Sequence, residues 1–175
     1  MAQDTPELLK ALGEINPNQP YGTELFDALA RVTVSVAMEA VCLRFIAGAG
    51  GPPLIQAYLV QRAQNDTAYP GQWHCPGSVL RPGEEINDVF ARLAKNEFGA
   101  GLKSWRFVAN VNHPTEERGH FLSVVHLCEL ETAIGQRGKW FPVNNLPSNT
   151  VETHTHRVIP VAVGAFVAEH TEVSA

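Results

Sequence analysis

Residues 73–99, WHCPGSVLRPGEEINDVFARLAKNEFG, decide how this chain folds. Pro82-Gly83-Glu84 starts a helix, because proline is tolerated in a first turn, and Gly99 ends it, because glycine adopts a left-handed cap readily. The spacing predicts a helix over Glu84–Phe98. At about 100° per residue, Ile86, Phe90, Leu93 and Glu97 fall along one apolar stripe, with Val89 and Ala94 beside it. Glu84, Asp88, Arg92 and Lys95 cluster on another side. Glu97 therefore breaks two rules at once. A carboxylate on an apolar stripe needs a cation or hydrogen bonds, and the macrodipole disfavours negative charge near a helix C-terminus. Such a residue is either a functional group or a side chain that bends out to solvent at a fraying end.

Working outward, residues 32–43 alternate. Val32, Val34, Val36, Met38, Ala40 and Cys42 face one way, and Thr33, Ser35, Ala37, Glu39, Val41 and Leu43 the other. This pattern predicts a long strand with one apolar face, and Glu39 is its only charge, on the more polar side. A Gly/Pro loop leads to a second strand, Leu54–Arg62. Further strands are expected at Trp105–Val111, Phe121–Leu130 and Trp140–Val143, and a last helix within Thr150–Glu169, kinked or delayed by Pro160. Before residue 32, Thr5-Pro6-Glu7 and Thr23 start two short packing helices, the second with Leu25, Phe26 and Leu29 on its apolar side. Strands interleaved with helices give an α/β sandwich. The expected organisation is a helical extension over 1–31, a domain over 32–169 and a tail over 170–175.

Composition narrows the function. The 175 residues are 45% hydrophobic, enough for one well-packed domain, and carry 13 Lys and Arg against 18 Asp and Glu, a net charge of −5. Binding a nucleic-acid polymer rests on neutralising many phosphates, so no such partner is expected, whereas a small phosphorylated ligand needs only a few cations. Cys42, Cys75 and Cys128 are odd in number and widely spaced, which suits free thiols in a cytoplasmic protein. There is no signal-peptide pattern and no long apolar run, so no membrane association is expected.

The 73–99 stretch resembles the Nudix box, G-x5-E-x7-R-E-U-x-E-E-x-G-U, where U is a bulky apolar residue. Glu84, Arg92, Glu97 and Gly99 match it. Ser78 stands at the leading glycine, with Gly77 just before, and Leu93 and Asn96 replace two of the helical glutamates. The approach Trp73-x-x-Pro76-Gly77 and the segment from Trp140-Phe141 to Leu146-Pro147 also resemble the family. The resemblance spans roughly residues 32–169 and implies a Nudix-like α/β/α sandwich with a mixed sheet. In the family, helical carboxylates hold Mg²⁺ and help water attack a nucleoside diphosphate linked to another moiety. With Glu97 alone left in the row, one Mg²⁺ is the natural limit.

The abbreviated helix Arg92-Leu93-Ala94-Lys95-Asn96-Glu97-Phe98-Gly99 is similar to that of the GDP-mannose mannosyl hydrolase branch, in which water attacks the anomeric carbon of a nucleotide sugar and the diphosphate leaves. Carried over, the resemblance implies that Glu97 and the Gly77 carbonyl are metal ligands. Arg92 and Arg62 would contact the diphosphate, and Glu39 the nucleotide. It also allows a homodimer. Two positions depart from the branch: Val79 stands where it has an arginine, and the loop 133–139 contains Gln136 but no histidine. The general base is therefore open. His113, Glu116, Glu117 and His120, expected in a turn between two strands, and Gln136 are the candidates; the same four turn residues also read as a solvated polar turn.

Three alternatives remain on the sequence: a hydrolase attacking carbon, a hydrolase attacking phosphorus, and a Nudix-fold nucleotide-binding or regulatory module that has lost catalysis. His154-Thr155-His156 reads as a helix-end pair without metal, since residues two apart do not share a helix face. His126, within an apolar strand, reads as a core histidine. Cys75 lacks a recognisable histidine partner and does not read as a nucleophile.

Overall fold

The alternating segment forms the central strand of a seven-stranded mixed sheet in a computed structural model that describes residues 5–17, 19–47, 51–131 and 138–172. Helices α1 (Thr5–Gly13) and α2 (Thr23–Ala30) precede it. Strands β1 (Val34–Ile46), β2 (Leu54–Gln61), β3 (Trp73–His74) and β4 (Gly77–Val79) lead to helix α3 (Ile86–Leu93). The hairpin β5 (Leu102–Glu116) and β6 (Gly119–Leu130), strand β7 (Gly138–Pro142) and helix α4 (Ile159–Glu172) complete the described fold. The strand order is β3-β2-β1-β6-β5, with β4 also on β1 and β7 on β2. Among the described strand pairs, β1 and β6 run parallel and the rest antiparallel. Strand β1 divides its other edge: Ala37–Glu39 pair with β4, and Leu43–Ile46 pair with β2.

β1 is buried on both faces, which corrects the expectation of one apolar face. Met38, Ala40 and Cys42 pack with Val89, Phe90 and Leu93 of α3 and with Tyr58. On the other side, Val41 packs with Ala57, Leu59, Val125 and, from the last helix, Ile159 and Ala162. Helices thus cover both faces, because a sheet with two apolar faces must bury each of them. Glu39 shares the α4 side with Val41.

The hairpin is longer than its apolar pattern indicates. Its ladder runs to Glu116 opposite Gly119, so His113, Glu116 and His120 are strand residues and the turn shrinks to Glu117-Arg118. His113 is buried. Strands β3 and β4 were not expected; each is only two or three residues long, too short for a periodic signal.

Both predicted long helices contain a π turn. After α3, the chain widens over Ala94–Phe98 and ends on Gly99 in the left-handed region, φ 61°. A π turn inserts one residue, so the inner position after Leu93 passes to Phe98 instead of Glu97. Phe98 is fully buried and stacks on Tyr58 at 5.7 Å, while Glu97 is half-buried. Burying an aromatic ring in place of a carboxylate is the favourable choice. The second π turn, His154–Val158, precedes α4 and places Pro160 in the first turn of the regular helix, where its missing N–H does least harm.

The extension divides in two. No residue of α1 is buried, and Leu8, Leu9 and Leu12 are exposed; α2 docks on the domain through Ala30. The three cysteines are free and buried. Among the described residues no helix is long and apolar enough to cross a membrane.

Candidate active site

Where β1 changes partner from β4 to β2, a cavity of about 310 Å³ opens against β3, the end of the β5–β6 hairpin and the start of the last helix. Glu39 lies in its wall. The carboxylate is 6% exposed, and Ser123 on the parallel neighbour donates its hydroxyl to Oε1 at 3.2 Å. Oε2 is buried with no hydrogen-bond partner. A Cβ at Gly77 would lie 2.3 Å from Oε2, so the carboxylate packs directly on the glycine backbone. This contact accounts for the Pro76-Gly77 approach read in the sequence. Burial pushes the Glu39 carboxyl up to about 7, against the smaller opposing effects of Ser123 and Arg62.

Arg62, also in the wall, donates to Asp66 at 2.9 Å and stacks over Tyr69 at 5.5 Å; its Nε is buried without a partner. Burial raises the Asp66 carboxyl, but the Tyr69 and Ala68 amides, Arg62 and Arg118 together hold it well below the usual carboxylate range. The Tyr69 hydroxyl donates to Glu116. Burial and that carboxylate push the tyrosine up.

Two histidines complete the polar wall. His74 is 5% exposed, and burial holds it well below the usual imidazole range. His154 accepts the Cys75 amide at Nδ1, 3.0 Å away, and its Nε2 lies 4.0 Å from Glu39 Oε2. Burial pushes it down to about 3. The sequence singles out no role for His74, and in it His154 reads as a helix-end histidine without metal. His154 belongs to the buried stripe of Val158, Ile159 and Ala162, a spacing visible in the sequence once the helix is allowed to begin before Pro160.

The predicted site residues do not all converge. Glu39, Arg62 and Gly77 line the cavity together, and Glu116 joins them. Arg92 is directed elsewhere: its fork grips Glu84 at 2.9 and 2.8 Å, and it also donates to Ser78 Oγ and to the Val79 carbonyl. Glu84 further accepts the Arg81 amide at 3.0 Å, and the Arg92 hydrogen bonds hold its carboxyl below the ordinary range. The pair braces the loop between β4 and α3, and Ser78, in place of the family glycine, gives Arg92 an additional acceptor. Glu97, in the π turn on the α3 side, is not among the cavity-lining residues.

Among the base candidates, His113 is 3% exposed with both ring nitrogens unpartnered, and its Nδ1 is 3.9 Å from Glu116 Oε1. Burial lowers its affinity for a proton. His120 Nε2 is 2.6 Å from Asn112 Oδ1. Glu117 is exposed, its amide donating to Tyr69. Gln136 lies outside the described residues. His126 is a core histidine, as expected, with Nδ1 3.0 Å from the Val124 carbonyl and its ring against Phe90. Cys75 is fully buried, and burial pushes its thiol well up, away from a nucleophilic thiolate.

Among the described residues, no three His, Cys, Asp or Glu side chains group as a metal cage. A single hard cation that keeps waters and shares ligand oxygens needs fewer protein donors. The orphaned Glu39 Oε2 on Gly77 is an oxygen of the right kind. Among the described residues the donors present thus offer a single hard cation an oxygen and form no cluster.

Comparison with known proteins bears on the same elements. A comparison with curated proteins gives no match. Among solved structures, a mutT/nudix family protein from Listeria innocua is 16% identical, covers 78% of this chain and 96% of its own, and superposes with a TM-score of 0.60. The NUDIX domain of Shewanella oneidensis NrtR, solved with ADP ribose, is 16% identical over 90% of this chain and 97% of its own, TM-score 0.56. A MutT NUDIX hydrolase from Burkholderia pseudomallei is 19% identical over 70% and 93%, TM-score 0.52. These likenesses establish the fold. The NUDIX domain family model matches residues 39–161, from the cavity carboxylate on β1 through the box to the start of the last helix, and the chain belongs to the Nudix domain family.

Proposed function

We propose that this protein is a Mg²⁺-dependent hydrolase of a nucleoside diphosphate linked to another moiety, with nucleotide sugars as the substrate class. The observation that carries this reading is the pairing, in one cavity, of Arg62 with the orphaned Glu39 carboxylate oxygen on Gly77. A guanidinium suits diphosphate oxygens, and the carboxylate can orient a hydroxyl or a water beside them. The Leu93 and Asn96 replacements support attack on the anomeric carbon, since that route depends mainly on stabilising the leaving diphosphate.

In this scheme Arg62 binds the diphosphate and Glu39 positions the nucleotide. His154, held neutral by burial, stands behind Glu39 with its Nε2 4.0 Å from Oε2. Glu116, the one base candidate among the described residues that lies in the cavity wall, takes the proton of the attacking water, with Tyr69 holding its other oxygen. The Arg92–Glu84 brace keeps the Gly77 loop in place. We assign Glu97 and the Gly77 carbonyl to Mg²⁺, which when bound supplies positive charge to the leaving diphosphate.

A binding or regulatory module is the second reading, favoured by the same two lost glutamates and by the NrtR likeness, since a longer NrtR chain has been solved with a 27mer DNA. The net charge of −5 supports a small-molecule ligand and no nucleic-acid polymer for this chain. Incubation with Mg²⁺ and a panel of nucleotide sugars, ADP-ribose and nucleoside triphosphates in isotopically labelled water separates the readings. Label in the free sugar supports attack at carbon, and label in phosphate supports attack at phosphorus. Binding without turnover of any member supports the module.

A further inference from the structure

The family match begins at residue 39, yet the cavity is completed by residues that precede it. Gln19, Pro20, Tyr21 and Phe26, from the link into α2 and from α2 itself, form a wall that shares the cavity with Phe121 of β6. Three separate contacts hold this wall in place. Arg118, at the hairpin turn, donates to Asp27 of α2 at 3.2 Å and to Asp66 at 2.8 Å, tying the extension to the loop that carries Arg62's partner. The same guanidinium lies 6.0 Å from the centre of the Phe26 ring. Gly119 has φ 138°, and a Cβ there would come within 2.2 Å of the Ala30 carbonyl, so the end of α2 reaches the hairpin only because that position has no side chain.

The lining is chemically divided. Glu39, Arg62, His74, Glu116, Arg118 and His154 bring the charged and imidazole groups, whereas the extension brings the Tyr21 and Phe26 rings with the Gln19 carboxamide and Pro20, and β6 brings Phe121 and Ser123. Tyr21 and Phe26 are half-buried and line the cavity. Aromatic faces favour planar rings, and a carboxamide offers both a donor and an acceptor to a ring edge. We propose that the extension supplies the subsite for the nucleobase: Tyr21, Phe26 and Phe121 hold its faces, Gln19 reads its edge, and Arg118 fixes the wall that does so. This deepens the nucleotide-hydrolase reading and rests on it.

The test is calorimetric titration of the full chain, in Mg²⁺ buffer, with ADP, GDP, UDP and inorganic pyrophosphate. The proteins compared are wild type, Tyr21→Ala, Tyr21→Phe and Arg118→Met, each checked for an unchanged thermal transition. Loss of one stacking ring weakens the best-bound nucleoside diphosphate on the order of tenfold in Tyr21→Ala. Pyrophosphate affinity stays the same, and Tyr21→Phe restores the nucleotide affinity. Arg118→Met weakens the nucleotide more than it weakens pyrophosphate. If wild type binds a nucleoside diphosphate and Tyr21→Ala binds it equally well, the subsite is wrong while the hydrolase reading stands. Equal weakening of nucleotide and pyrophosphate in Tyr21→Ala also overturns it, since the wall would then act on the diphosphate end. Absence of nucleotide binding in wild type removes the hydrolase reading and this inference together.

Discussion

Glu39 Oε2 and His154 Nε2 stand 4.0 Å apart between β1 and the last helix, and the amide of Cys75 donates to the other nitrogen of the ring. Because Nδ1 accepts that bond, the ring proton resides on Nε2 and faces the carboxylate. Burial acts oppositely on the two groups, raising the carboxyl and lowering the imidazole, so both favour their neutral forms. The pair is a neutral polar contact at the back of the cavity more than an ion pair.

The stability of the metal-free protein should report this directly. The folded Glu39 holds its proton up to about 7, against an ordinary 4.5. Its contribution is therefore complete below pH 4.5 and lost as pH rises through 7, where the buried group must ionise. Glu39→Gln has no such loss. In urea titrations with chelator present, the variant should equal wild type at pH 4 within error and exceed it by roughly 3 kcal/mol at pH 8. A difference independent of pH would show that Glu39 ionises freely in the fold.

The Arg92–Glu84 fork is a stability element first. It has two short bonds and partly buried ends, 19% and 13% exposed. Arg92→Met should destabilise the domain by about 1–2 kcal/mol, and Arg92→Lys should recover little of it because a lysine cannot make the fork. A double-mutant cycle with Glu84→Gln measures the coupling. Coupling near zero would mean that the brace contributes no stability and that Arg92 is available to a ligand.

In the π turn, adjacent residues have opposite roles. Phe98→Ala should lower stability by about 3–5 kcal/mol, as a buried ring lost against Tyr58. Glu97→Gln should change it by less than about 0.5 kcal/mol, as a substitution outside the core, while weakening Mg²⁺ affinity. Thermal denaturation with and without Mg²⁺ reads both effects. A Glu97→Gln protein stabilised by Mg²⁺ as much as wild type removes Glu97 from the metal site.

Among the described residues, Glu116 is the base candidate that lines the cavity. On the nucleotide sugar that the panel assay identifies, Glu116→Gln should lower kcat by about 10²-fold or more with little change in KM. Tyr69→Phe, which frees the second carboxylate oxygen, should lower kcat less than Glu116→Gln does. Equal kcat in Glu116→Gln and wild type places the base elsewhere.

Much of the fold was legible residue by residue. The alternation at 32–43 marks the central strand, which the structure carries over 34–46, and Pro82 and Gly99 bracket the box helix. The two charges of the box that touch, Glu84 and Arg92, stand at the family spacing. Less of the site was legible. Glu39 and Arg62 were named from the sequence and lie together in the cavity. His74 goes unread because it falls in a strand too short for a period, and His154 reads only as a helix-end histidine because it falls in a helix turn of irregular pitch. Glu97 sat on the apolar stripe only under a regular α-helical period, and the π turn moved Phe98 into that place. The hairpin was cut short at 111 because polar residues beyond it hid an alternation that cross-strand pairing continues to 116.

By itself, then, the sequence determined the α/β class, the order of the main elements and the box that marks the family, since these follow from local periodicity, capping and spacing. Only the tertiary structure decided which polar groups meet. The meeting of Glu39, Gly77 and His154 depends on the register between β1 and β4 and on where the last helix lands. The closure of the cavity by the extension depends on Gly119 admitting the backbone of Ala30. Both are long-range contacts made by side-chain volume and buried charge, which leave no periodic trace in a single chain.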